Sequence, residues 1–238
     1  LPARLMMISS PRSTRSTKIS LASVTWLAIA AMQRRMLMPS RLPRAVWSAR
    51  AYAGILDKNQ DSVRFAKLAD DIKTRTIAKY HIPGTGRFDN ATQGAQLFAL
   101  WYGLSPEKEK SLEVLKLEFE RHNWHVSSGI FGVKMMFDIL RETDQNEIAY
   151  RLANQRDFPG WGHMLENGAT TLWESWEFPE TSPSRNHPMF GSIDEWFYRS
   201  LLGINAAAPG FAKITIKPQP AGDLTWVKGS YQSIKGKI

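Results

Sequence analysis

Glu174 lies between Trp173 and Trp176, in a stretch (Trp161–Gly203) that holds four of the nine tryptophans and two of the five histidines of the 238-residue chain. A carboxylate set among indole rings is poorly hydrated, a setting that suits it to proton transfer. Aromatic faces interleaved with Glu, Asn and His are what a pocket needs to stack sugar rings while acid–base chemistry is done on them. Glu174 is therefore a carboxylate whose setting suits acid–base work, as a candidate only. Trp161, Glu166, Trp173, Trp176, Asn186 and His187 are candidate substrate contacts. Each has a plainer alternative: helix-core packing for the tryptophans, a helix-end salt bridge for Glu174, turn hydrogen bonds for Glu166 and a structural hydrogen bond for His187.

Other chemistries find less support. His122 and His125 stand at i, i+3 around Trp124, but no third ligand is evident, so no metal is assigned. No glycine-rich phosphate loop, HExxH or GxSxG pattern occurs, which argues against phosphoryl transfer, zinc proteolysis and serine hydrolysis. No cofactor is implied. With no cysteine, neither disulfides nor thiolate metal sites are available. The net charge of +9 suggests nucleic acid until it is divided along the chain. Residues 1–50 carry nine Lys/Arg and no acid, leaving 22 basic and 22 acidic side chains in residues 51–238. A nucleic-acid-binding domain would carry its basic stripe on the folded part, so nucleic acid is excluded as a partner.

The elements that must position these residues begin near Ala45. Residues 1–44 are basic, rich in Ser, Met and Pro, and without periodic apolar spacing, so disorder is expected there. Within them Ile19–Met32 is apolar behind Arg12, Arg15 and Lys18, like a secretory signal, but too short for stable membrane insertion. A mis-assembled translation, a signal-like segment and a basic tail all remain open for 1–44, and so does the compartment, cytoplasmic or secreted. From Ala45 the spacing predicts helices over AVWSARAYAGIL, Asp61–Tyr80, Ala91–Tyr102, Glu107–His122, Gly129–Glu142, Gln145–Gln155 and Trp196–Leu202. Asn90 with Gln93 and Ser192 with Glu195 read as capping boxes, Ser105-Pro106 as a helix start, and Gly203 as a stop. Successive helices on short loops read as antiparallel hairpins. Beyond Pro209, Lys213–Lys217, Leu224–Lys228 and Tyr231–Ile238 read as strands.

ENGATTLWESW followed by NHPMFGSIDEWFYRSLLGI resembles the bacterial α-L-rhamnosidases of glycoside hydrolase family 78. The resemblance extends through GRFDNATQGAQLFALWYGL, HVSSGIFGVK and NEIAYRLANQRDFPGWGHM and on into PGFAKITIKPQP. It implies a mainly α fold: part of an (α/α)6 six-hairpin barrel over 45–207, then a truncated antiparallel β-sandwich over 208–238. It also implies an inverting glycoside hydrolase that releases terminal rhamnose from rhamnosides, with Glu174 as general base, His187 as a sugar-binding residue and no metal. The family's general acid lies in an acid-rich segment of the first barrel half. Here the first acidic residue is Asp57, and Asp57, Asp61 and Asp70 do not match that motif. The chain is therefore expected to be inactive alone, with self-association through exposed barrel faces as a partner option. Another six-hairpin glycosidase, such as a fucosidase or uronyl hydrolase, and a non-catalytic carbohydrate-binding scaffold remain as alternatives.

Overall fold

Apolar spacing of 3.6 residues needs a second helix to cover it, and the chain answers by alternating fully buried helices with half-buried ones. The computed structural model describes residue 46, residues 48–177 and residues 184–238. The expectations for residues 1–44, and for the Ser/Pro-rich loop at 178–183, lie outside the described residues.

After a first helix, α1, over 48–55, come α2 (Asn59–Tyr80), α3 (Gln93–Trp101), α4 (Lys108–Arg121), α5 (Ile130–Glu142), α6 (Asn146–Ala153) and α7 (Trp161–Glu166). Helix α8 (Ser192–Trp196) runs on into a π-helical turn, Phe197–Leu201. α3 is buried from Ala95 to Leu100, and α5 buries every residue from Met135 to Leu140. These two pack side by side, with α8 against α5. α4 backs α3 through Ser111, Leu115 and Phe119, and α6 backs α5 through Ala149, Tyr150 and Leu152. The result is an inner row (α3, α5, α8) and an outer row (α4, α6) joined as hairpins, as the helical spacing predicts. Among the described residues, no helix is long and apolar enough to cross a membrane.

The helix starts differ from the sequence reading. Thr92, not Asn90, caps α3 by accepting from the Ala95 amide at 3.4 Å. Gln93 instead spans to the next hairpin, donating to the His125 carbonyl and accepting from the Ser127 amide, both at 2.9 Å. Ser105 accepts from the Glu107 amide at 3.1 Å, and regular helix begins only at Lys108. The Ser192–Glu195 capping box does not form, because Glu195 is drawn to Lys134 and Arg199. Gly203 does stop the last helix, at φ +71; a Cβ there would stand 2.1 Å from the backbone of Lys217.

The close contact at Gly203 comes from an antiparallel pair, β3 (Ile204–Ala206) with β4 (Ile214–Ile216), which follows the short pair β1 (His81–Ile82) and β2 (Arg87–Phe88). A third pair, β5 (Gln232–Ser233) with β6 (Gly236–Lys237), closes the described chain. Leu224–Lys228, expected as a strand, forms no ladder; Leu224 and Val227 pack instead against the helical core. Packing displaces pairing there because residues 217–224 are sewn to α6. Gln219 accepts from Asn146, the Gly222 amide donates to Glu147 at 3.0 Å, and Tyr150 donates to Asp223. Gly222 lies so close to the Tyr150 ring that a Cβ would stand 2.0 Å from it.

Candidate active site

Two short extended segments carry the motif, and their backbones bring it together. The Glu174 amide donates to the Ser184 carbonyl at 3.3 Å, and the His187 amide donates to the Leu172 carbonyl at 2.8 Å. The Thr171 hydroxyl donates to the Arg185 carbonyl. Glu174 and His187 are thus set on one antiparallel strip, although twelve residues intervene between them. The strip becomes possible because α7 is followed by Gly168, whose φ of +77 turns the chain back.

Beneath the strip lies an aromatic floor. Trp161, Trp173 and Trp176 are 6, 2 and 5% exposed, and Phe190 is 1% exposed. Trp176 meets Trp161 edge-on at 4.8 Å and lies over Phe190 at 4.0 Å; Phe137 extends the cluster to Trp161 and Trp196. Buried indoles must place their N–H groups. Trp161 donates to the Phe190 carbonyl and Trp176 to the Ser128 carbonyl, each at 3.3 Å, while Trp196 donates to Asn146 at 2.7 Å. The three tryptophans expected to touch substrate are therefore core residues here. Extended backbone explains the split: Trp173 points inward, while its neighbour Glu174 is half-buried at the surface.

His187 precedes a 3-10 turn that begins at Pro188, and its Nδ1 accepts from the Met189 amide at 3.3 Å. In the neutral ring that bond places the proton on Nε2, which is left to donate outward. Asn186 is exposed, and Glu166 is exposed at the last position of α7. The structure thus gathers Glu174, Asn186 and His187 on one strip with the tryptophans below, and puts Glu166 at the end of the preceding helix. His122 and His125 are occupied elsewhere: the first bonds the Glu118 carbonyl, and the second bonds Asp157 and the His122 carbonyl. Among the described residues, no group of three His, Cys, Asp or Glu could hold a metal.

Sequence reasoning missed the ionic clamp that holds α8 against α5. Lys134 contacts Asp138 and, at 2.8 Å, Glu195. Arg199 reaches Glu195 at 2.7 Å, Asp138 at 3.1 Å and Asn205 at 3.1 Å. Burial alone would push the Glu195 carboxyl up, but hydrogen bonds from Lys134 and Arg199 outweigh it and hold the group below its ordinary value. Its neighbour Asp194 has no such cation among the described residues, and burial raises its carboxyl. The i, i+4 spacings Lys134/Asp138 and Glu195/Arg199 were the available signal.

A family model described as the bacterial alpha-L-rhamnosidase 6 hairpin glycosidase domain matches residues 41–201, and one described as the bacterial alpha-L-rhamnosidase C-terminal domain matches residues 203–238. An alpha-L-rhamnosidase of an Alteromonas species is 31% identical over 213 residues, which are 82% of this chain and 22% of that protein. The solved alpha-L-rhamnosidase of Dictyoglumus thermophilum superposes with a TM-score of 0.75 at 35% identity, over 82% of this chain and 23% of that one. The Streptomyces avermitilis enzyme, solved with L-rhamnose, gives 0.76 at 28% identity over 84% of this chain and 20% of that one. The chain thus spans about a fifth of the length of each. With two-thirds of its residues inside the first model and the same hairpins in space, the chain belongs to the bacterial α-L-rhamnosidase six-hairpin glycosidase family.

Proposed function

We propose that this chain forms the base-bearing wall of a rhamnosidase active site that acts on rhamnose-containing glycosides. In this reading Glu174 takes a proton from a water as that water bonds to the anomeric carbon. The bond from that carbon to the leaving oxygen breaks on the opposite face, and a second carboxyl group, in its protonated form, gives that oxygen its proton, so configuration inverts. None of Asp57, Asp61 or Asp70 fits that second role. His187, fixed by its bond to Met189, donates through Nε2 to a sugar hydroxyl, and Asn186 and Glu166 offer further polar contacts at the rim. Trp161, Trp173 and Trp176 keep water from the inner side of Glu174 and fix its height.

The observation that carries this reading is the backbone pairing that seats half-buried Glu174 beside His187 on a tryptophan floor. The purified chain should not hydrolyse nitrophenyl α-L-rhamnoside. Residues 161–203 grafted into an intact rhamnosidase barrel should support hydrolysis of the rhamnoside but not of the fucoside. Glu174→Gln in that graft should lower kcat by about 10²–10⁴-fold, the usual contribution of a positioned base, with KM little changed. An unchanged kcat would remove Glu174 from the mechanism.

A further inference from the structure

A second concave surface has a lining of its own, distinct from the residues of the Glu174 strip. Helix α6 and the residues after it present Glu147, Arg151, Asn154 and Gln155 along an open groove of about 430 Å³, which Trp124 closes from the turn after α4. That volume falls within the range of small-molecule sites. No residue of the 161–203 stretch lines the groove.

Its polar groups are poised and unused. Arg151 lies 3.9 Å over the Trp124 ring and, among the described residues, has no carboxylate partner. This cation–π contact holds the guanidinium at the groove wall. Glu147 uses one carboxylate oxygen, Oε2, to accept from the Gly222 amide, and its other oxygen has no hydrogen bond among the described residues. The side-chain amides of Asn154 and Gln155 and the indole N–H of Trp124 have no hydrogen-bond partner among the described residues. Trp124 also sits at φ +62 directly after Asn123 at +51. A left-handed conformation is unfavourable for a bulky residue, and such outliers gather where a side chain must be aimed.

We propose that this groove binds a neutral pyranose unit of a glycan, at a site separate from Glu174. The charges select the class. The lining carries one cation, Arg151, and one anion, Glu147, so its formal charge cancels. Neither an anion nor a cation therefore meets a complementary field. What remains is an alternation of donors and acceptors beside an aromatic residue, which matches vicinal hydroxyls on an apolar ring face.

The test uses the ¹⁵N-labelled full chain, with the Trp124 indole cross-peak identified by its loss in Trp124→Phe. Methyl α-L-rhamnopyranoside is the neutral probe, and methyl β-D-glucopyranosiduronate is its anionic counterpart. The neutral probe should shift the Trp124 indole with the same Kd in the wild type and in a Glu174→Gln/His187→Ala variant, so that failure of the base assignment leaves this result untouched. Arg151→Ala should weaken binding about tenfold or more, as loss of a charge-assisted hydrogen bond does. Asn154→Ala/Gln155→Ala should weaken it as well; both sites are at the surface, and retained spectral dispersion checks the fold. The proposal is overturned if the indole does not move at tens of millimolar probe, if neither variant changes Kd, or if the uronate binds more tightly.

Discussion

Helices α5 and α2 are both regular, yet they stand in opposite relation to the rest of the molecule. α5 has 13 residues and buries eight; α2 has 22 and buries two, Ala69 and Thr76. α5 touches α3, α6 and α8, carries one side of the ionic clamp and, through Phe137, supports the aromatic floor. α2 exposes Val63 and Leu68 and spreads Arg64, Lys67, Asp70, Asp71, Lys73 and Arg75 around its length. The difference teaches that helical regularity is a local property, whereas the capacity to hold a site is set by what the helix is packed against.

The sharpest way to break this comparison is to remove an aromatic ring on one side and an aliphatic group on the other. Trp176→Ala should lower unfolding free energy by about 3–5 kcal/mol, the usual effect of deleting a buried large aromatic. Val63→Ala, on exposed α2, should change it by less than about 0.5 kcal/mol. Urea unfolding of both variants measures the contrast, and equal effects would show that α2 is packed as closely as the aromatic floor that α5 supports.

The next largest effect concerns the strap at 217–224, which belongs to the anchored side. The Tyr150 hydroxyl is pushed up to about 12, first by burial and then by its bond to Asp223. A raised folded-state pKa means that this contribution is complete below the unfolded value near 10 and is lost as pH climbs from there to about 12. The loss should be on the order of 2 kcal/mol. Thermal melts between these pH values measure it, and Tyr150→Phe should flatten the slope. A slope that Phe leaves intact would separate the strap from Tyr150.

A smaller acid-side effect tests the clamp. Glu195 is held below its ordinary value, so its contribution is present above the unfolded carboxylate pKa and is lost as pH falls through the lower folded one. Tm should therefore drop on acidification below about pH 4.5, the unfolded value, and Glu195→Gln should weaken that dependence. Both Lys134 and Arg199 are partly exposed, so added salt should weaken it too.

These contrasts also mark what the sequence made legible. Hairpins from α3 to α6 were readable because each helix carries its own apolar spacing, as was the Gly203 stop, because a left-handed residue there must lack a side chain. The grouping of Glu174 with His187 was readable only through motif resemblance, since the pairing of 171–174 with 184–187 has no local signature. The burial of Trp161, Trp173 and Trp176 was not readable: tryptophan serves equally as floor and as wall, and the choice depends on Phe137 and Phe190 arriving from other elements. The caps failed for a related reason. Gln93 and Glu195 had better partners in distant residues, His125 and Ser127 for one, Lys134 and Arg199 for the other, and tertiary hydrogen bonds displaced the local ones. Residues 224–228 had strand character without a partner strand, and the bonds sewing 217–224 to α6 decided their path instead.

The smallest effect belongs to Asp194, next to Glu195 and opposite to it in sign. As a first-turn residue of α8 it should be favoured by the helix dipole, which stabilises the anion. Its carboxyl is nevertheless raised by burial, which opposes that stabilisation in this five-residue helix. With the folded value raised, Asp194 favours the fold only while protonated, and that advantage disappears as pH rises from the unfolded value through the folded one. At neutral pH the ionised group is therefore a slight liability. Asp194→Asn keeps the shape and removes the charge, so it should raise Tm at pH 7 and leave it unchanged near pH 3, where the wild-type group is already neutral. The residue is exposed by area, which keeps the gain below about 0.5 kcal/mol. Paired melts of Asp194→Asn and Glu195→Gln at the two pH values should give opposite signs at pH 7. If both variants lower Tm there, the dipole outweighs desolvation at Asp194, and the contrast between the two neighbouring carboxylates collapses.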